Sequence, residues 1–123
     1  MSVLQVHGDA DRIIFYQGGQ HVLGRGKGLY PGSVATIERW ARHNRCSGAR
    51  VPAPPALDLD REPGAETWVE QVAGCPTGVD VRLFTLRGGP HVPAFAAAFG
   101  EWSTAWLEAH PKVAAPGPAS GAP

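Results

Sequence analysis

Val3-Leu4-Gln5-Val6-His7-Gly8-Asp9-Ala10-Asp11 sits at the start of the chain, and its counterpart further on is Leu86-Arg87-Gly88-Gly89-Pro90-His91. Each is a β-prone apolar run that stops at glycine and then presents one side chain able to handle protons, a carboxylate in the first and an imidazole in the second. Open parallel sheets present chemistry in this way: the strand fixes the backbone, and the loop at its carboxyl end carries the functional group. The pair predicts an α/β fold with Asp11 and His91 brought together from two strand ends. It supplies an acid and a base without an evident nucleophile.

Working outward, Ile13-Ile14-Phe15-Tyr16 is a second apolar run, too short to assign, that could line the floor beneath the first turn. The stretch 17–32 is glycine-rich and reads as loop. Within it Gly24-Arg25-Gly26-Lys27-Gly28 suggests phosphate binding. The spacing fails, because position 21 is His rather than Gly, and Gly28 stands where Ser or Thr would bind a cation. A surface loop is the better reading.

Ser33 is a good N-cap for a helix in which Val34, Ile37, Trp40 and Ala41 recur at helical spacing, ending near Asn44. Residues 46–64 hold four prolines (52, 54, 55 and 63) and read as an irregular connection. The segments 67–73 and 79–86 are strand-like and separated by Cys-Pro-Thr-Gly, which predicts a hairpin or two neighbouring strands. Pro93 can open a second helix with Phe95, Phe99, Trp102 and Trp106 on one stripe, best read as core packing, and Gly100 weakens that helix by about 1 kcal/mol relative to alanine. The expected architecture is therefore about three strands and two helices over residues 1–111, followed by a Pro/Ala/Gly tail, 112–123, too poor in apolar side chains to order.

Composition bounds the rest. In 123 residues, 11 basic and 11 acidic side chains cancel, leaving no field to hold nucleic acid or an anionic membrane. No run approaches the roughly 18 apolar residues of a membrane span, and the first residues lack a secretory signal pattern. Core-like residues from position 3 suggest that further protein precedes them. Cys46 and Cys75 either bridge, closing a loop of about 30 residues for roughly 3–4 kcal/mol, or remain two free thiols.

Among five histidines, His7 at a strand end reads as a buried side chain satisfied by backbone hydrogen bonds, and His21, His43 and His110 read as solvated. His91, after Gly88-Gly89 and beside Pro90, should project from the sheet edge. His7 with Asp9 and Asp11 could also be read as a metal cluster, but no matching carboxylate pair or His-x-x-x-His accompanies it. No cofactor is implied. Asp11 is better suited to orient an imidazole, fixing its tautomer and stabilising the imidazolium. An acid followed along the chain by a histidine matches the last two members of the nucleophile–acid–base order of α/β-hydrolases.

Several features together resemble a known family. They are Val3-Leu4-Gln5-Val6-His7-Gly8-x-x-Asp11, Tyr16-x-Gly18-Gly19, the helix bearing Trp40 before Asn44-x-Cys46, the later Cys75, and Val81-x-Leu83-Phe84-Thr85-Leu86-x-Gly88-Gly89-x-His91. In order and spacing they are similar, over about residues 3 to 110, to the C-terminal third of the secreted polyhydroxybutyrate depolymerase and feruloyl esterase group of α/β-hydrolases. The resemblance implies Asp11 as triad acid, His91 as general base, a Cys46–Cys75 disulfide, an ester substrate and an extracellular setting. It also implies a sheet that is incomplete without upstream strands. Two departures stand out. None of Ser2, Ser33, Ser47, Ser103 or Ser120 lies in a Gly-x-Ser-x-Gly elbow, and Val92-Pro93 replaces the family's Trp-Pro. The expectation is thus a part of an ester hydrolase that is inactive alone; the alternative is a binding module that has kept the scaffold and lost catalysis.

Overall fold

The computed structural model describes residues 1–20, 28–61, 64 and 66–112. Positions 24–27 of the glycine-rich stretch, His21 and the tail from 113 onward lie outside the described residues. The elements in chain order are β1 (Val3–Gly8), β2 (Gly18–Gln20), β3 (Leu29–Pro31), α1 (Ser33–His43), β4 (Arg50–Pro52), β5 (Thr67–Val72), β6 (Val81–Leu86) and α2 (Ala97–Ala109). The fold is mixed α/β. A four-stranded sheet runs β1-β6-β5-β4, and β2 and β3 form a separate antiparallel ribbon.

Among the described residues only β1 and β6 pair in parallel, with Gly8 opposite Leu86. β5 and β6 form the expected antiparallel hairpin, with Thr67 opposite Leu86 and Gln71 opposite Arg82. β4 extends the sheet beyond the three strands expected, pairing antiparallel to β5 at the edge. Its Pro52 lacks an N–H, which an edge strand tolerates.

Side-chain alternation divides the core in two. On one face of the sheet, Val72, Val81 and Leu83 pack with Ile37 and Ala41 of α1, and Val3, Trp40 and both cysteines complete the cluster. On the other face, Val69 and Phe84 pack with Leu59, Leu4 and Val6, and with Phe99 and Trp102 of α2. Trp102 meets Phe84 with ring centroids 4.6 Å apart. Central β6 is covered on both faces, which is why Val81, Leu83, Phe84 and Leu86 are all buried. Each such side chain contributes about 1.5–3 kcal/mol of transfer free energy. β1, by contrast, is only half-buried along Val3–His7. β1 is the sheet's edge among the described residues, which is why it is less covered than β6.

Two other expectations are corrected. α2 starts at Ala97 rather than after Pro93, because Asp60 bridges Phe95 and the Ala96 amide donates to Leu59 O, holding that stretch extended. Phe95 instead stacks on Phe99, 3.9 Å between centroids. Ser33 is not the cap: Gly32 occupies that position, and Ser33 is the first helical residue. The Cys46 and Cys75 sulfurs are bonded, tying the end of α1 to the turn between β5 and β6.

Candidate active site

The parallel β1–β6 pair sets two strand ends side by side, and the loops leaving them interlock. The Asp9 amide donates to Leu86 O at 3.0 Å and the Ala10 amide to Gly89 O at 3.1 Å. The Gly88 amide returns to Asp9 Oδ1 at 2.6 Å. Gly8 and Gly89 meet back to back: a Cβ on Gly8 would lie 2.1 Å from Gly89 O, and one on Gly89 would lie 3.1 Å from Gly8 Cα. Gly88 sits at φ 71°, the left-handed region. Glycine at 8 and 89 lets the acid loop and the base loop approach without side chains between them.

Asp11 is only 6% exposed. Its Oδ1 accepts the Ile13 amide at 2.8 Å and the Ile14 amide at 2.9 Å, so the apolar run after the turn serves as a clamp. Its Oδ2 accepts His91 Nδ1 at 2.9 Å and His7 Nε2 at 3.1 Å. Four donors thus fill the four sites of the carboxylate. Burial alone would push the Asp11 carboxyl up, but the bonds from His91, from the Ile13 and Ile14 amides and from His7 outweigh it and hold the group well below the usual carboxylate range. Asp11 remains an anion with a fixed orientation.

The His91 side chain is 40% exposed. With Nδ1 bound to an ionised carboxylate, the neutral ring carries its proton there, leaving the Nε2 lone pair on the outward side to take a proton. An imidazolium formed in that way is stabilised by Asp11. The geometry therefore suits general base and general acid chemistry at Nε2.

His7 departs from the sequence reading. Its backbone partner is Ile14 O, 2.9 Å from Nε2, yet two of its three hydrogen-bond partners are side chains: Asp11, and Ser33 Oγ at 2.5 Å from Nδ1. Since both neighbours of Nε2 are acceptors, the ring proton sits on Nε2 and Nδ1 accepts from the Ser33 hydroxyl. Tyr16 meets the His7 ring edge-on, centroids 5.6 Å apart, and its hydroxyl pairs with Thr85 Oγ1 at 2.6 Å. A sequence signal for this existed: His7 shares the parity of Val3, which faces α1, and α1 opens with a serine.

Ser33, His7 and Asp11 line up as hydroxyl, imidazole and carboxylate, but Ser33 is 1% exposed and no ester carbonyl can reach it. Of the other described serines, Ser2 and Ser47 bond the backbone near Gly78 and Gly74, and Ser103 bonds Gly100 O. None of these bonds reaches His91. His110, read as solvated, instead donates from Nδ1 to Trp106 O at 2.7 Å, with Nε2 3.5 Å from Asp80 Oδ2. Among the described residues no three His, Cys, Asp or Glu side chains are grouped to hold a metal ion. No helix among them is long and apolar enough to cross a membrane.

No protein-family model matches the chain, and no solved structure matches it. Among curated proteins it is similar to feruloyl esterase B of Piromyces equi, 28% identical over 90 residues. That alignment takes in 72% of this chain and spans 15% of the relative's length. What the comparison supports is an esterase-like relationship.

Proposed function

We propose that the chain supplies the acid and base of a secreted carboxylic-ester hydrolase of the polyhydroxyalkanoate depolymerase or feruloyl/acetyl esterase type, with Asp11 and His91 in those roles. The nucleophilic serine comes from polypeptide outside these 123 residues. The observation that carries the reading is the 2.9 Å bond between buried Asp11 Oδ2 and Nδ1 of an exposed His91. The esterase-like similarity supports the reaction class, and the disulfide supports an oxidising, extracellular compartment.

In the proposed cycle, His91 Nε2 takes the proton of the serine hydroxyl as its oxygen attacks the ester carbonyl. Asp11 stabilises the imidazolium, which returns that proton to the departing alcohol. A water molecule then gives its proton to Nε2 as it attacks the acyl-serine carbonyl, and the imidazolium hands that proton to the serine oxygen as the acyl–oxygen bond breaks and the carboxylic acid leaves. The substrate is a polyester or an acylated polysaccharide.

The test begins with the DNA upstream of Met1 in the source genome, translated in three frames. A Gly-x-Ser-x-Gly segment found there is co-expressed with this chain, and release of ferulate from feruloylated oligosaccharide and of 3-hydroxybutyrate from polyester is followed. Turnover that needs both parts supports the proposal. Absence of such a segment, or a folded complex that hydrolyses neither those substrates nor a p-nitrophenyl ester, sinks it in favour of a binding module.

A further inference from the structure

Asp11 Oδ2 serves two imidazoles. His91 reaches it at 2.9 Å and His7 at 3.1 Å, while Oδ1 is already taken by the Ile13 and Ile14 amides. The two rings differ in what they can do. His91 is 40% exposed and turns Nε2 outward. His7 is 15% exposed and engaged at both nitrogens, with Ser33 Oγ at Nδ1 and Ile14 O sharing Nε2.

We propose that His7, oriented by Ser33, is a positioning residue that shares Asp11 Oδ2 with His91 and thereby sets how strongly Asp11 draws on the His91 Nδ1 proton. The inference rests on the reading of Asp11 and His91 as acid and base.

A carboxylate divides its accepting power among its donors, so an N–H from His7 on Oδ2 weakens the neighbouring bond from His91. The Ser33 hydroxyl, by donating to Nδ1, withdraws electron density from the ring and makes the Nε2 proton of His7 a better donor. The strength of the Asp11–His91 bond in turn sets the electron density at His91 Nε2, the atom that handles the proton. Ser33 is buried and its hydroxyl bonds His7, so the effect of that hydroxyl on the base runs through His7 and Asp11. The other charged side chains of the two loops are Asp9, committed to the Gly88 amide, Arg12, and Arg87, which lies 4.9 Å over the Trp68 ring. None of their assigned contacts is with Oδ2.

The experiment is NMR of the ¹⁵N-labelled chain at about pH 8.5, above the ordinary histidine range, reading the ¹⁵N shift of His91 Nδ1 through the ring C–H protons. A stronger bond to Asp11 moves Nδ1 toward the shift of an unprotonated nitrogen. Ser33→Ala should move it a little in that direction and His7→Phe further, with His7→Gln, whose amide can again donate to Oδ2, returning it toward the parent value. A merely structural role for His7 gives the opposite sign, because a loosened Asp11 would release His91. An unmoved Nδ1 or movement away from the unprotonated shift in Ser33→Ala overturns the inference, and that variant keeps it testable should His7→Phe fail to fold. The readout involves no ester. If the NMR series holds while the completed enzyme shows no turnover, the functional reading has failed; if turnover requires Asp11 and His91 but the series is flat, this inference has.

Discussion

Beside each end of β6 lies a buried aspartate with a histidine next to it, and only one of the two looks like a place for chemistry. Before the strand, Asp80 accepts Trp106 Nε1 at 3.0 Å, Arg82 Nε at 2.7 Å and Gln71 Nε2 at 3.0 Å, with His110 at 3.5 Å. The partners there belong to β5, β6, α2 and the residue that caps α2, and both nitrogens of that residue, His110, face acceptors within the protein. After the strand, Asp11 is equally saturated, yet His91 keeps one nitrogen turned outward from an exposed ring. A carboxylate–imidazole pair is thus a fastening when all its atoms are used internally, and has the geometry to relay a proton when one nitrogen is left over.

The largest effect that would break this contrast concerns turnover. In the enzyme completed by a serine-bearing segment, His91→Ala and Asp11→Asn should each reduce ester hydrolysis on the order of 10⁴-fold, while His110→Ala leaves it within about twofold. Steady-state rates on a p-nitrophenyl ester decide it; equal losses at His91 and His110 would mean that the distinction is wrong.

Next in size is the glycine contact. Gly8→Ala forces a Cβ into Gly89 O, and the loops must part, costing about 1–3 kcal/mol in urea denaturation and detaching His91 from Asp11. Retention of the parental His91 Nδ1 shift in that variant would show that the contact is dispensable for the site.

Stability should separate the two aspartates in the opposite sense from activity. Asp80→Ala leaves a buried indole N–H, an amide and a guanidinium without an acceptor, and is expected to cost about 3 kcal/mol. Asp11→Ala frees the Ile13 and Ile14 amides, whose bonds are only part-buried beside an exposed Ile13, and about 1–2 kcal/mol is expected. Matching losses in chemical denaturation would recast Asp11 as a fastening too.

The smallest effect is on pH. The Asp11 carboxyl is lowered in the folded state from an ordinary value of 3.8. Its bonds therefore contribute stability that is complete above that value and is lost as pH falls through the lower folded-state value. Between about pH 7 and pH 5 the urea midpoints of the parent and of Asp11→Asn should run parallel, and below about pH 4 the parent should fall faster. Parallel curves throughout would mean that Asp11 is not held as an anion.

Much of this was legible in the sequence. The glycine-stopped runs at Gly8 and at Gly88-Gly89, the hairpin around Cys-Pro-Thr-Gly, and the α1 stripe of Val34, Ile37, Trp40 and Ala41 are local patterns, and each predicts its element. What escaped is long-range. Ser33 has the chemistry of a cap, yet its hydroxyl is claimed by a histidine 26 residues earlier. Arg50-Val51-Pro52 looks like a loop because proline argues against a strand, and it pairs only because β5 offers an edge. α2 starts later than Pro93 suggests because the Asp60–Phe95 bridge overrides local propensity. The role of His7 depended on knowing which face of β1 meets the N-terminus of α1, which periodicity suggests but cannot fix.

The Cys46–Cys75 bond has a covalent consequence. Asp11 lies on the N-terminal side of the bridged segment and His91 on the C-terminal side. A protease that cuts anywhere between the two cysteines produces two peptides that still travel as one molecule, with the acid on one and the base on the other. Such a nicked form runs as a single band on a non-reducing gel and as two after reduction, so peptide-bond cleavage in the proline-rich connection need not disperse the pair.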